Sequence, residues 1–217
     1  MPRDTFHQEL REIEESVITM ATLVERAIAQ SMEALTRRDM ALAEEVIARD
    51  AEVNELQRGI RSRGANLIAL QAPVARDLRE LITVQLVINE LERMGDHAVG
   101  VAKQTLRIRD FETPPIAHDL SELARLVREQ VRACIQAFVD VNVQQAREIC
   151  QRDDEIDGRY RVIFGDVLGL MTRDPASIPM ATSLLFIAHD LERIGDRVTN
   201  ICEDVIYMVS GQIEELN

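Results

Sequence analysis

Two short segments of the chain place acidic side chains four residues apart, within stretches whose apolar periodicity is that of buried helices. Glu92 and Asp96 lie in NELERMGDHAVG, and Glu192 and Asp196 lie in the related segment HDLERIGDRVTN. Side chains at this spacing lie one above the other on a helix, where like charges repel by about a few tenths of a kcal/mol. Because this arrangement has a cost, we expect a bound cation or a shared proton to compensate it.

A second pair of oxygen-bearing side chains precedes each acidic pair, in RDAEVN and in RDDEID. Positions 50 and 96 have the midpoint 73, as do positions 54 and 92; in the second half both corresponding midpoints are 174.5. Two antiparallel helices with equal rise per residue therefore bring four side chains together in each half. The predicted site residues are Asp50, Asn54, Glu92 and Asp96 in the first half, and Asp153, Asp157, Glu192 and Asp196 in the second.

Four converging carboxylate or amide groups are a suitable ligand set for a metal ion. Hard oxygen ligands suit magnesium, calcium, manganese or iron, and zinc is also compatible. Gly95 and Gly195 border the acidic faces, where a missing side chain gives room for an ion or simply for close helix packing. His189 is a candidate nitrogen ligand in the second half, and Glu203 could extend that site.

The arginines next to the glutamates are predicted to take no part in the clusters. Arg93 and Arg193 lie about one hundred degrees around the helix from the glutamate that precedes each of them. We expect them to form surface ion pairs with Glu90 and Asp190 instead.

The composition of the chain and its few helix-breaking residues predict long helices throughout. The chain of 217 residues has no Trp, 9 Gly and 6 Pro, which is typical of an all-α protein. Asp39 and Asp174 are predicted helix caps, and Pro73 and Pro175 are predicted to open the helices that follow them. The predicted helices cover 5–37, 39–70, 73–109, 116–139, 142–171 and 176–210.

The order of these elements predicts two tandem, repeat-related three-helix bundles. The LER-x-GD segment recurs at the same relative place in each half, and the consecutive prolines in FETPPIAHD separate the halves. We therefore predict an N-terminal bundle over 1–110 and a C-terminal bundle over 111–217. Apolar side chains on the third helix of each bundle are predicted core residues: Leu81, Val84, Leu91, Met94, Leu184, Leu185, Ile187 and Ile194.

Charge and motifs narrow the functional classes. A net charge of −13 argues against nucleic acid as a partner. The absence of a signal peptide and of a long apolar run predicts a cytoplasmic protein without membrane insertion. Cys134, Cys150 and Cys202 are predicted to be reduced core residues. No P-loop, GxGxxG, GxSxG or HExxH motif is present, and no histidine follows a glutamate by three residues as in ferritin-like di-iron proteins.

Several segments together resemble the PhoU family of bacterial phosphate-signalling proteins. They are ELERMGD, DLERIGD, RDAEVN, RDDEID, the segment from Ala72 to Arg79, and NICEDVIYMVSGQ. The resemblance covers essentially the whole chain. It implies two tandem three-helix bundles, homodimer formation, and metal ions held by acidic motifs, as iron or zinc clusters in some members. Asn54 departs from the family motif, so we expect weaker metal binding in the first half.

The resemblance also implies a regulatory role in phosphate homeostasis. PhoU-like proteins are negative regulators of phosphate transport and of the phosphate-starvation response, through contacts with the phosphate ABC transporter ATPase and a sensor histidine kinase. We therefore expect no enzymatic activity. Two alternatives remain: a generic acidic helical scaffold, in which Glu92 and Glu192 would be dispensable, and a metal-dependent hydrolase or oxidase, which would show turnover.

Overall fold

The computed structural model describes residues 3–112 and 116–216, with side chains from residue 5 onward. Within these residues the chain forms α-helices, one 3-10 turn at Pro175–Ser177 and no strand. The predicted Pro-Pro break, at 114 and 115, lies outside the described residues. The helices are α1 (Arg3–Arg37), α2 (Met40–Gln71), α3 (Ala75–Arg107), α4 (Ala117–Val139), α5 (Val143–Cys150), α6 (Asp153–Arg173) and α7 (Ile178–Ser210).

Both predicted aspartate caps accept backbone hydrogen bonds, whereas neither predicted proline opens an α-helix, since Pro175 opens the 3-10 turn that precedes α7. The Asp39 side chain accepts a hydrogen bond from Leu42 N at 2.9 Å, and Asp174 accepts one from Ala176 N at 3.1 Å before the turn that leads into α7. Pro73 does not open α3, because Ala72 ends α2 in the left-handed conformation and Val74 is extended. The proline therefore belongs to the connection, and α3 begins two residues later.

The predicted helix over 142–171 is interrupted at Gln151 and Arg152, which separate α5 from α6. Gln130 on α4 is buried and donates a hydrogen bond from Nε2 to the Arg152 carbonyl at 3.0 Å. The Arg152 carbonyl also accepts a hydrogen bond from Glu155 N at 3.2 Å, so the contact with Gln130 is an additional one that ties the break to α4. As a consequence Asp153 lies in the first turn of α6, where the helix dipole favours a negative charge.

The helices build the predicted all-α fold of two three-helix bundles. In the second bundle, α5 and α6 together take the place of one helix. Among the predicted core residues all are buried except Leu185, which is half-buried and contacts the core. Cys134, Cys150 and Cys202 are buried free cysteines, as predicted. One continuous apolar core runs through both halves, so the two bundles stabilise each other.

The central contact between the bundles is an antiparallel pair formed by α3 and α7. Arg79 Nε donates to the Met208 carbonyl at 3.1 Å near one end, and the His97 and Asp190 side chains lie 3.0 Å apart (Nδ1 to Oδ1) near the other. Each of these helices also carries one LER-x-GD motif, so the two acidic faces are held by the same rigid pair of helices.

Candidate metal centres

The first predicted cluster joins the middle of α2 to the middle of α3. Asn54 Nδ2 donates a hydrogen bond to Asp50 Oδ2 at 2.7 Å. Burial and then the charge of Asp96 raise the pKa of Asp50. Burial, Asp96 and then Asp50 raise the pKa of Glu92. The side chains from the two helices are therefore close enough to repel each other, and the repulsion favours a shared proton or a cation.

The second predicted cluster joins the first turns of α6 to the middle of α7. Asp153 is only 8% exposed, and Asp157 and Glu192 are half-buried. Burial raises the pKa of Glu192 above its ordinary value, and the charges of Asp196, Asp157 and Asp153 add to the effect. The same four equivalent positions are thus brought together in both halves.

A glycine faces the preceding helix beside each acidic face. A Cβ at Gly95 would lie 3.5 Å from Val53 Cγ1 and 3.6 Å from Asp50 Oδ1. A Cβ at Gly195 would lie 3.2 Å from Ile156 Cδ1 and 3.3 Å from Asp153 Oδ1. The two glycines therefore serve the same close contact between helices, and the contact is tighter in the second half.

The expectation that the arginines would turn away from the acids is wrong for Arg193. Its Nη1 donates to Asp196 Oδ2 at 2.7 Å, and its Nε lies 3.4 Å from Glu192 Oε2. Arg161 likewise pairs with Asp157, at 3.0 Å between Nη2 and Oδ2. The long side chain of Arg193 reaches a carboxylate three residues later on its helix, and that of Arg161 reaches one four residues earlier. Two guanidinium groups therefore offset the charge of the second cluster.

The first cluster lacks such pairs. In the described part of the chain, no arginine or lysine forms an ion pair with Asp50, Glu92 or Asp96. Lys103 lies near enough only to lower the pKa of Asp50 modestly against the larger effects of burial and Asp96. The carbonyl oxygen of the Asn89 side chain accepts hydrogen bonds from Arg61 and Gln57.

The other residues considered from the sequence have separate positions. His189 Nδ1 lies 3.6 Å from Glu192 Oε2, at the border of the second cluster. Glu203 instead accepts a hydrogen bond from Leu216 N at 2.8 Å, in the C-terminal segment.

The predicted ion pairs of Arg93 with Glu90 and of Arg193 with Asp190 are wrong. Glu90 and Asp190 instead form contacts between the two bundles. Glu90 accepts from Arg197 at 3.3 Å and from Asn200 at 3.1 Å, and Asp190 contacts His97. The antiparallel pairing of α3 with α7 determines these contacts. The spacing of motifs within one half of the sequence does not predict these contacts between the halves.

The donor chemistry of both clusters suits a hard cation, although the carboxylates of the second cluster are paired with arginines. Across residues 3–112 and 116–216, no three His, Cys, Asp or Glu side chains are placed to hold one metal ion together. Burial, and then the neighbouring carboxylates, raise the pKa values of Asp50 and Glu92 in the first cluster and of Glu192 in the second, and a bound cation would relieve this repulsion. Metal binding at the second cluster would displace Arg161 and Arg193 from Asp157 and Asp196.

Comparison with known proteins identifies the family. The family model described as "PhoU domain" matches the chain twice, over residues 17–105 and 120–205. The chain belongs to the PhoU family. The two matches coincide with the two repeats, and each includes one complete set of four predicted site residues.

Relatives from two bacteria match along 95% or more of the chain. The phosphate-specific transport system accessory protein PhoU homolog of Clostridium acetobutylicum is 36% identical over 218 residues, covering 100% of each chain. The phosphate-specific transport system accessory protein PhoU of Escherichia coli is 33% identical over 207 residues, which is 95% of this chain and 86% of that protein.

Solved structures of PhoU proteins have the same architecture. The crystal structure of the phosphate transport system regulatory protein PhoU from Streptococcus pneumoniae matches with a TM-score of 0.91 at 33% identity, covering 97% of this chain and 100% of that chain. The PhoU structure from Pseudomonas aeruginosa matches with a TM-score of 0.91 at 29% identity, covering 95% and 100%. Among the described helices, none has the length and apolar character to cross a membrane.

Proposed function

We propose that this chain is a regulatory accessory protein of phosphate transport. The two PhoU-domain matches and the full-length similarity to proteins named phosphate-specific transport system accessory protein support this role. In this role the chain acts as a negative regulator of phosphate uptake and of the phosphate-starvation response. Its direct partners are the phosphate ABC transporter ATPase and a phosphate-sensing histidine kinase. It works in the cytoplasm, as a homodimer and without an enzymatic reaction of its own.

The proposal includes metal-dependent partner contacts, and the duplicated acidic cluster is the observation that carries this part. The ligands would be Asp50, Asn54, Glu92 and Asp96 in the first half, and Asp153, Asp157, Glu192 and Asp196 in the second. A bound iron, zinc, manganese or magnesium ion, or a cluster of such ions, would supply the positive charge that offsets the repulsion among these carboxylates.

Metal binding in the second half would also change the protein surface. Arg161 is exposed and pairs with Asp157, and Arg193 pairs with both Glu192 and Asp196. When the carboxylates coordinate a cation, these guanidinium groups lose their partners and become available for acidic groups on another protein. Metal occupancy would thereby be linked to partner binding through two residues of this chain.

The first test is the metal content of protein purified without chelators or an affinity-metal column. The wild type is compared with the double variant Glu92→Gln/Glu192→Gln. Glu45→Gln/Glu148→Gln is a matched control, because both glutamates are exposed and occupy equivalent positions in the two repeats. We expect bound metal in the wild type and control, and none in the Glu92/Glu192 variant. An unchanged helical circular dichroism spectrum verifies that the variants are folded.

The second test measures partner binding by the same three proteins. Purified transporter ATPase is immobilised, and the chain is passed over it with metal or with a chelator. The proposal predicts binding that disappears both with the chelator and in the Glu92→Gln/Glu192→Gln variant. Equal binding by all proteins would favour an acidic scaffold without a metal-dependent function. Turnover of phosphoesters or oxygen that requires Glu92 and Glu192 would favour the enzymatic alternative.

A further inference from the structure

A groove between α3, α7 and the C-terminal segment lies outside the acidic clusters. It encloses about 290 Å³. Its apolar lining consists of Ile82 and Leu86 from α3, Tyr207 from α7, and Ile213 from the C-terminal segment. Leu86 is 39% exposed and Ile213 is 86% exposed. Exposed apolar side chains around a concave surface are characteristic of a binding site.

Three carboxylates line the same groove, and two of them have partners. Glu214 pairs with Arg147 at 2.7 Å, and Glu203 accepts the hydrogen bond from Leu216 N. For the side-chain carboxylate of the third, Asp204, the described residues provide neither a hydrogen bond nor an ion pair; only its backbone carbonyl has a partner, Thr83 Oγ1 at 3.4 Å. Burial and the charges of Glu90 and Glu203 raise the pKa of Asp204 to about 7. A cation in the groove would relieve this repulsion.

Among the described residues, no basic side chain lines the groove. Two arginines lie at its border: Arg79 donates to the Met208 carbonyl, and Arg147 is paired with the groove carboxylate Glu214. A positive charge that complements the ionised form of Asp204 would therefore come from another molecule.

The repeat-related surface on the other bundle has the opposite charge. Aligning LERMGD with LERIGD relates Glu203, Asp204 and Tyr207 to Lys103, Gln104 and Arg107, and relates Leu86 to Phe186. The fold therefore does not require acids at these places. An acidic, apolar groove is a particular feature of the α7 end of the molecule.

We propose that this groove binds a basic amphipathic segment of a protein partner, with a lysine or arginine at Asp204 and an apolar side chain against Leu86 and Ile213. The apolar wall extends beyond the enclosed volume through the exposed Leu86 and Ile213, so an apolar peptide face fits it better than a small hydrophilic cation. The net charge of −13 attracts such a segment over a longer range. The inference goes beyond the proposed function, because this contact does not need a metal ion.

The test uses a fluorescein-labelled helical peptide of leucine and lysine as the probe, measured by fluorescence anisotropy. A peptide with glutamate in place of lysine is the control probe. We expect saturable binding of the basic peptide only. Asp204→Asn and Leu86→Ala should each weaken it by about fivefold or more, as for central interface residues. The matched controls are Glu44→Gln, an exposed acid on α2, and Phe186→Ala, which is the repeat-related partner of Leu86.

Several outcomes would overturn the proposal. One is the absence of saturable peptide binding. Another is equal weakening of binding by Asp204→Asn and Glu44→Gln, because this result would indicate general charge attraction. Concentration-dependent oligomers that Leu86→Ala disrupts and the peptide cannot dissociate would identify a second copy of the chain as the occupant. Loss of peptide binding with a chelator would assign the contact to the acidic clusters instead.

A second measurement does not depend on variants in the groove. The chain has 2 Tyr, so Tyr160→Phe leaves Tyr207 as the only tyrosine fluorophore. An unlabelled basic peptide should change this emission with the same affinity as in the anisotropy titration. Binding without any change at Tyr207 would contradict docking in the groove.

Discussion

The two acidic clusters are built from equivalent positions, yet they reduce the repulsion among their carboxylates differently. In the first cluster an amide replaces one acid, and Asn54 donates a hydrogen bond to Asp50. In the second cluster all four residues are acids, and Arg161 and Arg193 form ion pairs with three of them. Asp153 also lies in the first turn of α6, where the helix dipole stabilises its charge.

The repulsion is reduced permanently in the first cluster and reversibly in the second. The amide of Asn54 is covalently fixed and lowers the charge available to any cation. An arginine pair can dissociate when a cation competes for the carboxylates, because a half-exposed ion pair contributes only about 1 kcal/mol or less. The second cluster is therefore the better candidate for metal binding that switches a surface, and the first for a weaker or structural site.

The sharpest test of this comparison exchanges the one residue at which the ligand sets differ. In a Glu192→Gln background, which isolates the first cluster, Asn54→Asp should increase manganese affinity by about tenfold through the added charge. In a Glu92→Gln background, Asp157→Asn should reduce the affinity of the second cluster by a similar factor. Isothermal titration calorimetry measures both. If neither exchange changes the affinity, the residues at 54 and 157 are not ligands.

The second test compares the glycines at the helix contacts. Gly95→Ala should increase the free energy of unfolding by about 0.5 kcal/mol, because alanine favours the helix and meets only ordinary contacts at 3.5 Å. Gly195→Ala should decrease it by about 1 kcal/mol. The new Cβ would lie 3.2 Å from Ile156 Cδ1, and Ile156 is fully buried in the core. Urea unfolding gives both values, and a gain at both positions would show that the second contact is as loose as the first.

The sequence predicted the elements well because their signals are local. Apolar periodicity, the Asp39 and Asp174 caps and the repeated LER-x-GD segment depend on nearby residues, and they predicted the bundles. The hairpin midpoints identified which side chains converge, because both helices of a hairpin have the same rise per residue. The reasoning held in the second half since the interruption at Gln151 precedes Asp153, leaving the spacing between α6 and α7 intact.

The features that the sequence did not predict depend on tertiary contacts. The break between α5 and α6 has no glycine or proline signal, and it is supported by Gln130 from another helix. The contacts of Glu90 with Arg197 and of Asp190 with His97 require the antiparallel packing of α3 on α7. Rotamer choice lets Arg193 reach Asp196, and helix periodicity alone does not determine that choice.

The smallest expected effect concerns the stability of the metal-free protein and its dependence on pH. The pKa values of Glu92 and Glu192 are both raised above the ordinary 4.5, mainly by burial and then by Asp96 or Asp196. The folded state therefore holds these protons more tightly than the unfolded state. This stabilising contribution is complete below pH 4.5 and is lost as the pH rises through the raised values.

Glutamine in place of either glutamate should therefore stabilise the metal-free protein at pH 8, and this gain in stability should vanish near pH 4. We expect an increase in Tm of about 1 °C for Glu92→Gln. The increase should be smaller for Glu192→Gln, because this change also removes the contact of Glu192 with Arg193. Thermal unfolding with a chelator at both pH values measures the difference. Equal gains would mean that Arg193 does not compensate Glu192 in solution, and the contrast between the clusters would then rest on Asn54 alone.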